Sequence, residues 1–189
     1  MFCFVIFAGM KFNKLYLSML IIPLLSFGMA DTPSVVDWIS FESAVTSSKV
    51  EQKKIFIDVY TDWCGWCKKM EATTFSNPAV ASMLEKQFYP VKFNAEQREP
   101  ITFNNHTFKF VPRGTKGYHE LAAALLNNKL SYPSVVFMNE KFEIIQVLPG
   151  YRKADEFLKI ATFIGEDHYL TTSWEDFSKS YKKESSSGD

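Results

Sequence analysis

The clearest pattern in the chain is a run of apolar and β-branched residues, KIFIDVYT (54–61), which predicts a buried strand. Upstream, FESAVTSSKVEQK (41–53) spaces its apolar residues as a helix with one polar face. Downstream, CKKMEATTFSNPAVASMLEKQF is helical in character, but Asn77-Pro78 splits it into two pieces near Ser76. YPVKFNAE (89–96) predicts a second strand. Residues 98–131 are less regular. ITFNNHTFKFV alternates about Asn104-Asn105, a hairpin turn, and GYHELAAALLNN (117–128) predicts a short helix ending at asparagine. PSVVFMN and FEIIQVLPG predict an antiparallel pair of strands joined at Glu140-Lys141. KADEFLKIATFIG (153–165) predicts an amphipathic helix that stops at Gly165. TSWEDFSKSYKK predicts one more helix, and ESSSGD a frayed tail. Strands alternating with helices, followed by an antiparallel pair, describe an α/β fold whose central mixed sheet is covered by helices on both faces.

Composition changes this picture mainly at the N-terminus. The 189 residues suit one domain, and 18 Phe among 47% hydrophobic residues are enough for a core. Twenty-one basic and 21 acidic residues balance, so no basic footprint points to nucleic acid. Residues 1–30 hold no acid and only Lys11 and Lys14. A thirteen-residue apolar stretch, LYLSMLIIPLLSF, precedes Gly28-Met29-Ala30. A positive start, a short apolar middle and a small-x-small end describe a signal peptide over 1–30, cleaved after Ala30. The apolar stretch is short for a membrane span of about 20 residues, and Pro23 interrupts it. The expected mature protein is therefore periplasmic or secreted, with a domain over 31–169 and a C-terminal helix and disordered tail over 170–189. Loss of Lys11 and Lys14 leaves 19 basic against 21 acidic residues, a net charge of −2. Cys3 goes with the leader, so Cys64 and Cys67 have only each other, in a compartment where disulfides persist.

The chemistry is concentrated in YTDWCGWCKKM. Cys64 and Cys67 are separated by Gly65 and Trp66, directly after a predicted strand and at the start of a predicted helix. Unpaired N–H groups and the positive end of the helix dipole favour a thiolate there. Lys68 and Lys69 add positive charge, and a thiolate is the nucleophile. Cys67 lies one turn on, on the same helix face, placed to attack a mixed disulfide formed at Cys64. Cys64 is expected to be exposed and attacking, Cys67 mostly buried and resolving. Two blander readings stand beside this one. A structural zinc site needs four ligands, and His106, His119 and His168 show no ligand spacing with the pair. An inert disulfide closing so short a loop would remove little unfolded-state entropy.

IFIDVYTDWCGWCKKM resembles the active-site stretch of thioredoxin-fold thiol–disulfide oxidoreductases, in which a strand containing an acid leads into WCxxC and a lysine. Further features match in order over roughly 50–165. Asp58 stands six residues before Cys64, and Lys92 lies in VKFNAEQ. SYPSVVF carries Pro133, and VLPGYRKADEFL carries Gly150. TFSNPAVASML further resembles the periplasmic C-terminal domain of DsbD-type reductant carriers and its free-standing relatives. The resemblance implies a thioredoxin-like fold with a hairpin-and-helix segment inserted before a cis-proline loop. It implies a buried Asp58 near Cys67, able to take that cysteine's proton, and a Lys92 that moderates its charge. Ile55, Ile57 and Val59 independently make both faces of that strand apolar. Pro133 is expected to be cis, with the Tyr132 backbone pairing to an extended substrate segment, and Gly150 is expected at a turn. Trp63, Gly65 and Trp66 flank the thiols as a landing surface.

The expected function is exported protein disulfide exchange, leaning toward reduction, with no cofactor beyond the Cys64–Cys67 pair and no metal. Its expected partners are proteins bearing disulfides or thiols, together with an upstream redox donor. The alternatives are disulfide isomerase or oxidase activity, two-thiolate metal delivery, and a chaperone-like binding module using residues 98–131. In that module Phe103, Phe108 and Phe110 would face a partner; the blander expectation is that they pack a core.

Overall fold

The computed structural model describes residues 36–181, which fall in one compact unit. The expected leader over 1–30 and the Ser-rich tail lie outside the described residues. The elements run α1 (Phe41–Val50), β1 (Lys54–Tyr60), α2 (Gly65–Met70), a π-helical turn (Glu71–Phe75), α3 (Pro78–Gln87) and β2 (Phe88–Asn94). Two hairpins follow, β3 (Ile101–Phe103) with β4 (His106–Phe108) and β5 (Phe110–Arg113) with β6 (Lys116–His119). Then come α4 (Glu120–Leu125), β7 (Ser134–Met138), β8 (Ile144–Pro149), α5 (Ala154–Gly165), a 3₁₀ turn (His168–Leu170) and α6 (Trp174–Ser180).

The main sheet has the order β2-β1-β7-β8, with β1 parallel to β2 and antiparallel to β7, and β7 antiparallel to β8. The expected mixed sheet is therefore present. Because successive side chains on a strand point to opposite faces, β1 feeds two cores. Ile55, Ile57 and Val59 pack with Phe41, Val45, Ile101, Leu121 and Leu125, under α1 and α4. Phe56 packs on the other face with Met70, Phe75, Leu84, Phe88, Phe137 and Phe157, under α2, α3 and α5. Phe56 sits at the centre of that second core, its ring 5.3 to 5.8 Å from those of Phe137, Phe157 and Phe75.

The predicted break after the cysteine helix is real. Asn77 caps α3, its Oδ1 accepting from the N–H groups of Ala79 (3.0 Å) and Val80 (3.3 Å), and Pro78 occupies the first turn, where its missing N–H costs nothing. Asn104 and Asn105 both adopt positive φ (49° and 60°), the conformation a two-residue type I′ hairpin requires.

Two expectations are corrected. The helix expected over 117–128 is confined to Glu120–Leu125. Residues 116–119 instead pair with β5, Val111 opposite Tyr118. Gly117 permits this, since a Cβ there would run into the Phe110 ring and the Val111 carbonyl. His119 then caps α4 with its ring nitrogen, accepting from Leu121 N–H at 3.2 Å. The last strand starts at Ile144 rather than Phe142. Asn139 Oδ1 accepts from the N–H groups of Lys141 and Glu143, and Phe142 turns to positive φ (63°) with its ring on Phe103. Phe103 and Phe108 follow the blander expectation and pack against the first core, with Phe103 edge-on to Phe41 at 5.2 Å.

Truncating Phe56 empties the centre of the second core. Phe56→Ala is expected to cost about 3–5 kcal/mol, a large part of a domain's usual stability of about 5–15 kcal/mol. A fall in the urea midpoint with unchanged slope checks this.

Candidate functional site

The site forms where β1 ends. Tyr60 and Thr61 leave the sheet, and Cys64 becomes the N-cap of α2, its N–H donating to the Thr61 carbonyl at 3.1 Å. Cys64 and Cys67 are joined as a disulfide, their Cα atoms 5.3 Å apart, and the Cys67 N–H donates to Cys64 Sγ at 3.0 Å. The first sulfur thus receives a backbone N–H at a helix start, the arrangement that stabilises negative charge on it after reduction.

One expectation fails here. Cys64 is 5% exposed, as buried as Cys67 at 6%. The surface on either side belongs to Trp63 and Trp66, 59% and 57% exposed. Each indole is fixed from below. Trp63 donates its N–H to Glu96 Oε2 (3.0 Å), lies edge-on to Tyr132 (6.1 Å) and carries Lys116 Nζ over its ring at 5.4 Å. Trp66 packs against Tyr151 (5.5 Å), with Lys69 Nζ 4.8 Å over the indole and 5.6 Å over the phenol ring. Gly65, between the cysteines, has open space where a Cβ would stand.

On β1, two residues before its end, lies a carboxylate in an apolar layer. Asp58 alternates with Ile57 and Val59 and shares the sheet face of Phe56. On that face α2 buries Cys67 and Met70. Its side chain is 2% exposed, and one oxygen, Oδ1, has no hydrogen-bond partner. Burial pushes its pKa up to about 6, against the opposing pull of the Lys92 ammonium 3.2 Å from Oδ2. The parallel register makes this pair, with Asp58 directly opposite Lys92 on β2. Lys92 is shared, since it also pairs with Glu71, whose other oxygen accepts from the Trp38 indole N–H at 3.2 Å. The Lys92 ammonium stands over the Trp38 ring (4.8 Å) and the Tyr60 ring (5.3 Å). Tyr60 is thus packing for the lysine rather than a reacting group.

The opposite wall comes from the β7 end. The Tyr132-Pro133 bond is cis, and Ser134, which follows it, pairs with Val59, so this loop stands at the same sheet end as the cysteines. Burial, with help from Glu96, pushes the Tyr132 hydroxyl up to about 12. Gly150 takes φ +88° and donates its N–H to the Pro133 carbonyl at 2.7 Å, which ties the β8 turn to the loop. Every sequence-derived site residue therefore belongs to one end of the sheet.

Sequence reading missed Glu71, Glu96, Lys116 and Tyr151. Glu71 had a signal, since it lies seven residues, two helical turns, after Cys64. The other three touch the site only through tertiary folding. His119 is a buried cap held at Nε2 by the Glu99 carbonyl (3.1 Å), and burial pushes its pKa down. Among the described residues no group of three His, Cys, Asp or Glu side chains stands where it could hold a metal ion.

A family model described as Thioredox_DsbH (protein of unknown function, DUF255) matches residues 26–147. Human spermatogenesis-associated protein 20 is 33% identical over 67 residues, 35% of this chain. The thiol:disulfide interchange protein DsbD of Vibrio vulnificus (strain CMCP6) is 49% identical over 41 residues, 22% of this chain. The matched segments span only 8% and 7% of those relatives' own length. Among solved structures, one named DsbH Oxidoreductase superposes with a TM-score of 0.53 at 15% identity, covering 84% of this chain and 95% of that one. A thioredoxin from Thermus thermophilus gives 0.52 at 22% identity, covering 69% and 87%. These likenesses carry the fold, and the family match carries the membership. The chain belongs to the Thioredox_DsbH family and has the thioredoxin fold, with a Cys-x-x-Cys pair joined as a disulfide at the start of its second helix.

Proposed function

We propose that this protein is exported and reduces disulfides in other proteins, with Cys64 as the attacking thiol and Cys67 as the resolving one. The observation that carries the reading is a disulfide at a strand-to-helix junction, backed by a buried carboxyl and faced by a cis-proline loop. In the exchange, the Cys64 thiolate attacks one sulfur of the substrate disulfide. That S–S bond breaks, a mixed disulfide forms, and the departing substrate thiolate takes a proton. Asp58, as the carboxylate that Lys92 helps keep ionised, receives the Cys67 proton and becomes neutral, helped by a pKa close to neutrality. The Cys67 thiolate then attacks Cys64 Sγ, which restores the Cys64–Cys67 disulfide and releases the substrate as a dithiol. Two electrons have passed to the substrate, and an upstream dithiol partner returns the pair to its reduced state. The cysteines carry the electrons, so no cofactor enters.

The direction rests on the thioredoxin-like Asp58–Lys92 pair and on a Gly-Trp dipeptide that holds no histidine. Export rests on the charge and hydropathy pattern of residues 1–30. Trp63, Gly65, Trp66, Tyr132, Pro133 and Gly150 make the substrate site. The Tyr132 backbone offers strand-like pairing to an extended segment, and the indoles give it an apolar seat. Burial of Cys64 adds a condition, since an incoming sulfur must pass between Trp63 and Trp66.

Three measurements test these roles. Cys67→Ser is expected to hold partner proteins covalently on Cys64 as mixed disulfides, visible on non-reducing gels. Partners held only by Cys64→Ser would reverse the assignment of the two thiols. Trp63→Ala is expected to speed reaction of Cys64 with a small disulfide while slowing reduction of a protein disulfide. Asp58→Asn separates stability from chemistry. Because the folded carboxyl titrates near 6 rather than near 3.9, its favourable contribution is complete below about pH 4 and is lost as pH rises through about 6. Removing the ionisable group is expected to stabilise the fold at pH 7.5 by up to about 3 kcal/mol, a gain that vanishes near pH 4 in paired denaturant titrations. The same variant is expected to slow exchange by about a hundredfold or more and to erase an inflection near pH 6 from its pH profile.

A further inference from the structure

The β5–β6 hairpin has a composition of its own. From Thr107 to His119 it holds Lys109, Arg113 and Lys116 and no acid. One of these cations stands at the redox site, and a second lines a cavity on the same hairpin. Lys116 stands 5.4 Å over the ring of Trp63, the residue before Cys64. Arg113 stands 5.2 Å over the Tyr118 ring and lines a cavity of about 210 Å³ with Tyr118, Ala123, Asn128 and Leu130. Leu130, 37% exposed, lies two residues before Tyr132, so the cavity sits beside the chain that leads into the cis-proline loop. Its volume falls below the roughly 300 Å³ at which small-molecule sites begin and suits a single side chain.

The charges of this wall are unanswered. Among the described residues neither Arg113 nor Lys116 has a carboxylate within ion-pair distance. Glu96, the carboxylate that touches Trp63, accepts the indole N–H. On the far side of the disulfide Lys69 is likewise held over Trp66, so the two exposed indoles present paired cations to whatever docks there.

We infer that the Arg113–Lys116 hairpin reads the substrate: Lys116 over Trp63 and the Arg113–Leu130 cavity take an acidic side chain flanking the cysteine of an extended protein segment docked at Tyr132. This rests on the thiol-exchange function proposed above. Opposite charges lining such a contact act chiefly on encounter rate and on choice of partner, so the signature is a ratio between substrates that falls with salt.

The test uses the full chain, kept reduced by a small dithiol at a fixed concentration, and two disulfide-linked peptides of equal length that carry either two Asp or two Lys beside the cysteine. Wild type is expected to reduce the acidic peptide with a kcat/KM about fivefold or more above the basic one at low salt. Lys116→Glu with Arg113→Glu is expected to invert that ratio, and Lys116→Arg with Arg113→Lys to keep it. Circular dichroism and thermal melts verify that each variant folds. Lys109→Glu alters the residue just before the hairpin, outside the cavity, and is expected to leave the ratio in place. An equal ratio in wild type and the charge-reversed variant, a wild-type preference for the basic peptide, or an equal shift from Lys109→Glu overturns the inference. If wild type reduces neither peptide nor hydroxyethyl disulfide, the thiol-exchange function falls as well. Turnover with an unshifted ratio overturns the hairpin's role alone.

Discussion

A carboxyl group held between the sheet and the cysteine helix constrains everything around it. Asp58 sits on a strand whose neighbouring positions are all apolar, so its ionised form is costly, and one of its oxygens meets no donor. Such a group persists only if a cation stands within reach. The parallel pairing of β1 and β2 supplies one, since the register sets Lys92 opposite Asp58. The lysine in turn is held in place by Glu71 and by the faces of Trp38 and Tyr60. A pKa near 6 is the balance of these forces, with burial outweighing the ammonium.

The helix that carries the cysteines is shaped by the same contacts. Beyond Met70 it widens into a π-helical turn, Glu71–Phe75, before Asn77 and Pro78 restart it as α3. Such turns are often found at functional sites. Here the turn sends Glu71 toward Lys92 and Trp38, while Phe75 enters the aromatic cluster around Phe56 and Thr74 Oγ1 donates to the Arg152 carbonyl at 2.6 Å. The helix is thereby tied to β2 on one side and to the loop before α5 on the other. The second core stabilises the fold and also holds the cysteine helix, through Met70, on the sheet face that carries Asp58.

What was legible in the sequence was whatever depends on neighbours along the chain. The apolar run 54–61 marked β1, the Cys-x-x-Cys spacing marked the site, and Asn104-Asn105 marked a type I′ turn. The Asn77-Pro78 pair located the break. Asp58, Lys92, Pro133 and Gly150 were legible through a resemblance that fixes order and spacing. What failed depended on contacts made across the fold. The helical composition of 117–128 was overruled at its start because residues 116–119 found a partner strand in 110–113 and Gly117 made room for Phe110. The burial of Cys64 likewise follows from the fold, and the two tryptophans beside it are pinned by Glu96, Tyr132, Lys69 and Tyr151, residues up to 82 positions apart in the chain.

That pinning bears on how a partner is chosen. An exposed indole with a free rim is a general apolar surface; one with a lysine over its face is biased toward acidic company as well. Both indoles beside the disulfide are of the second kind, and their lysines come from different places. Lys69 belongs to the cysteine helix and is fixed by the motif itself. Lys116 comes from a hairpin that adds no strand to the central sheet, whose β6 end leads directly into α4. Chemistry and selectivity are thus separable in this fold. The sheet end and its buried pair set the reactivity of the sulfurs, and the hairpin before α4 can change its charge without disturbing either core. Under the proposed exchange function, such a protein keeps one mechanism and varies its partners by altering a few exposed residues between Phe110 and His119.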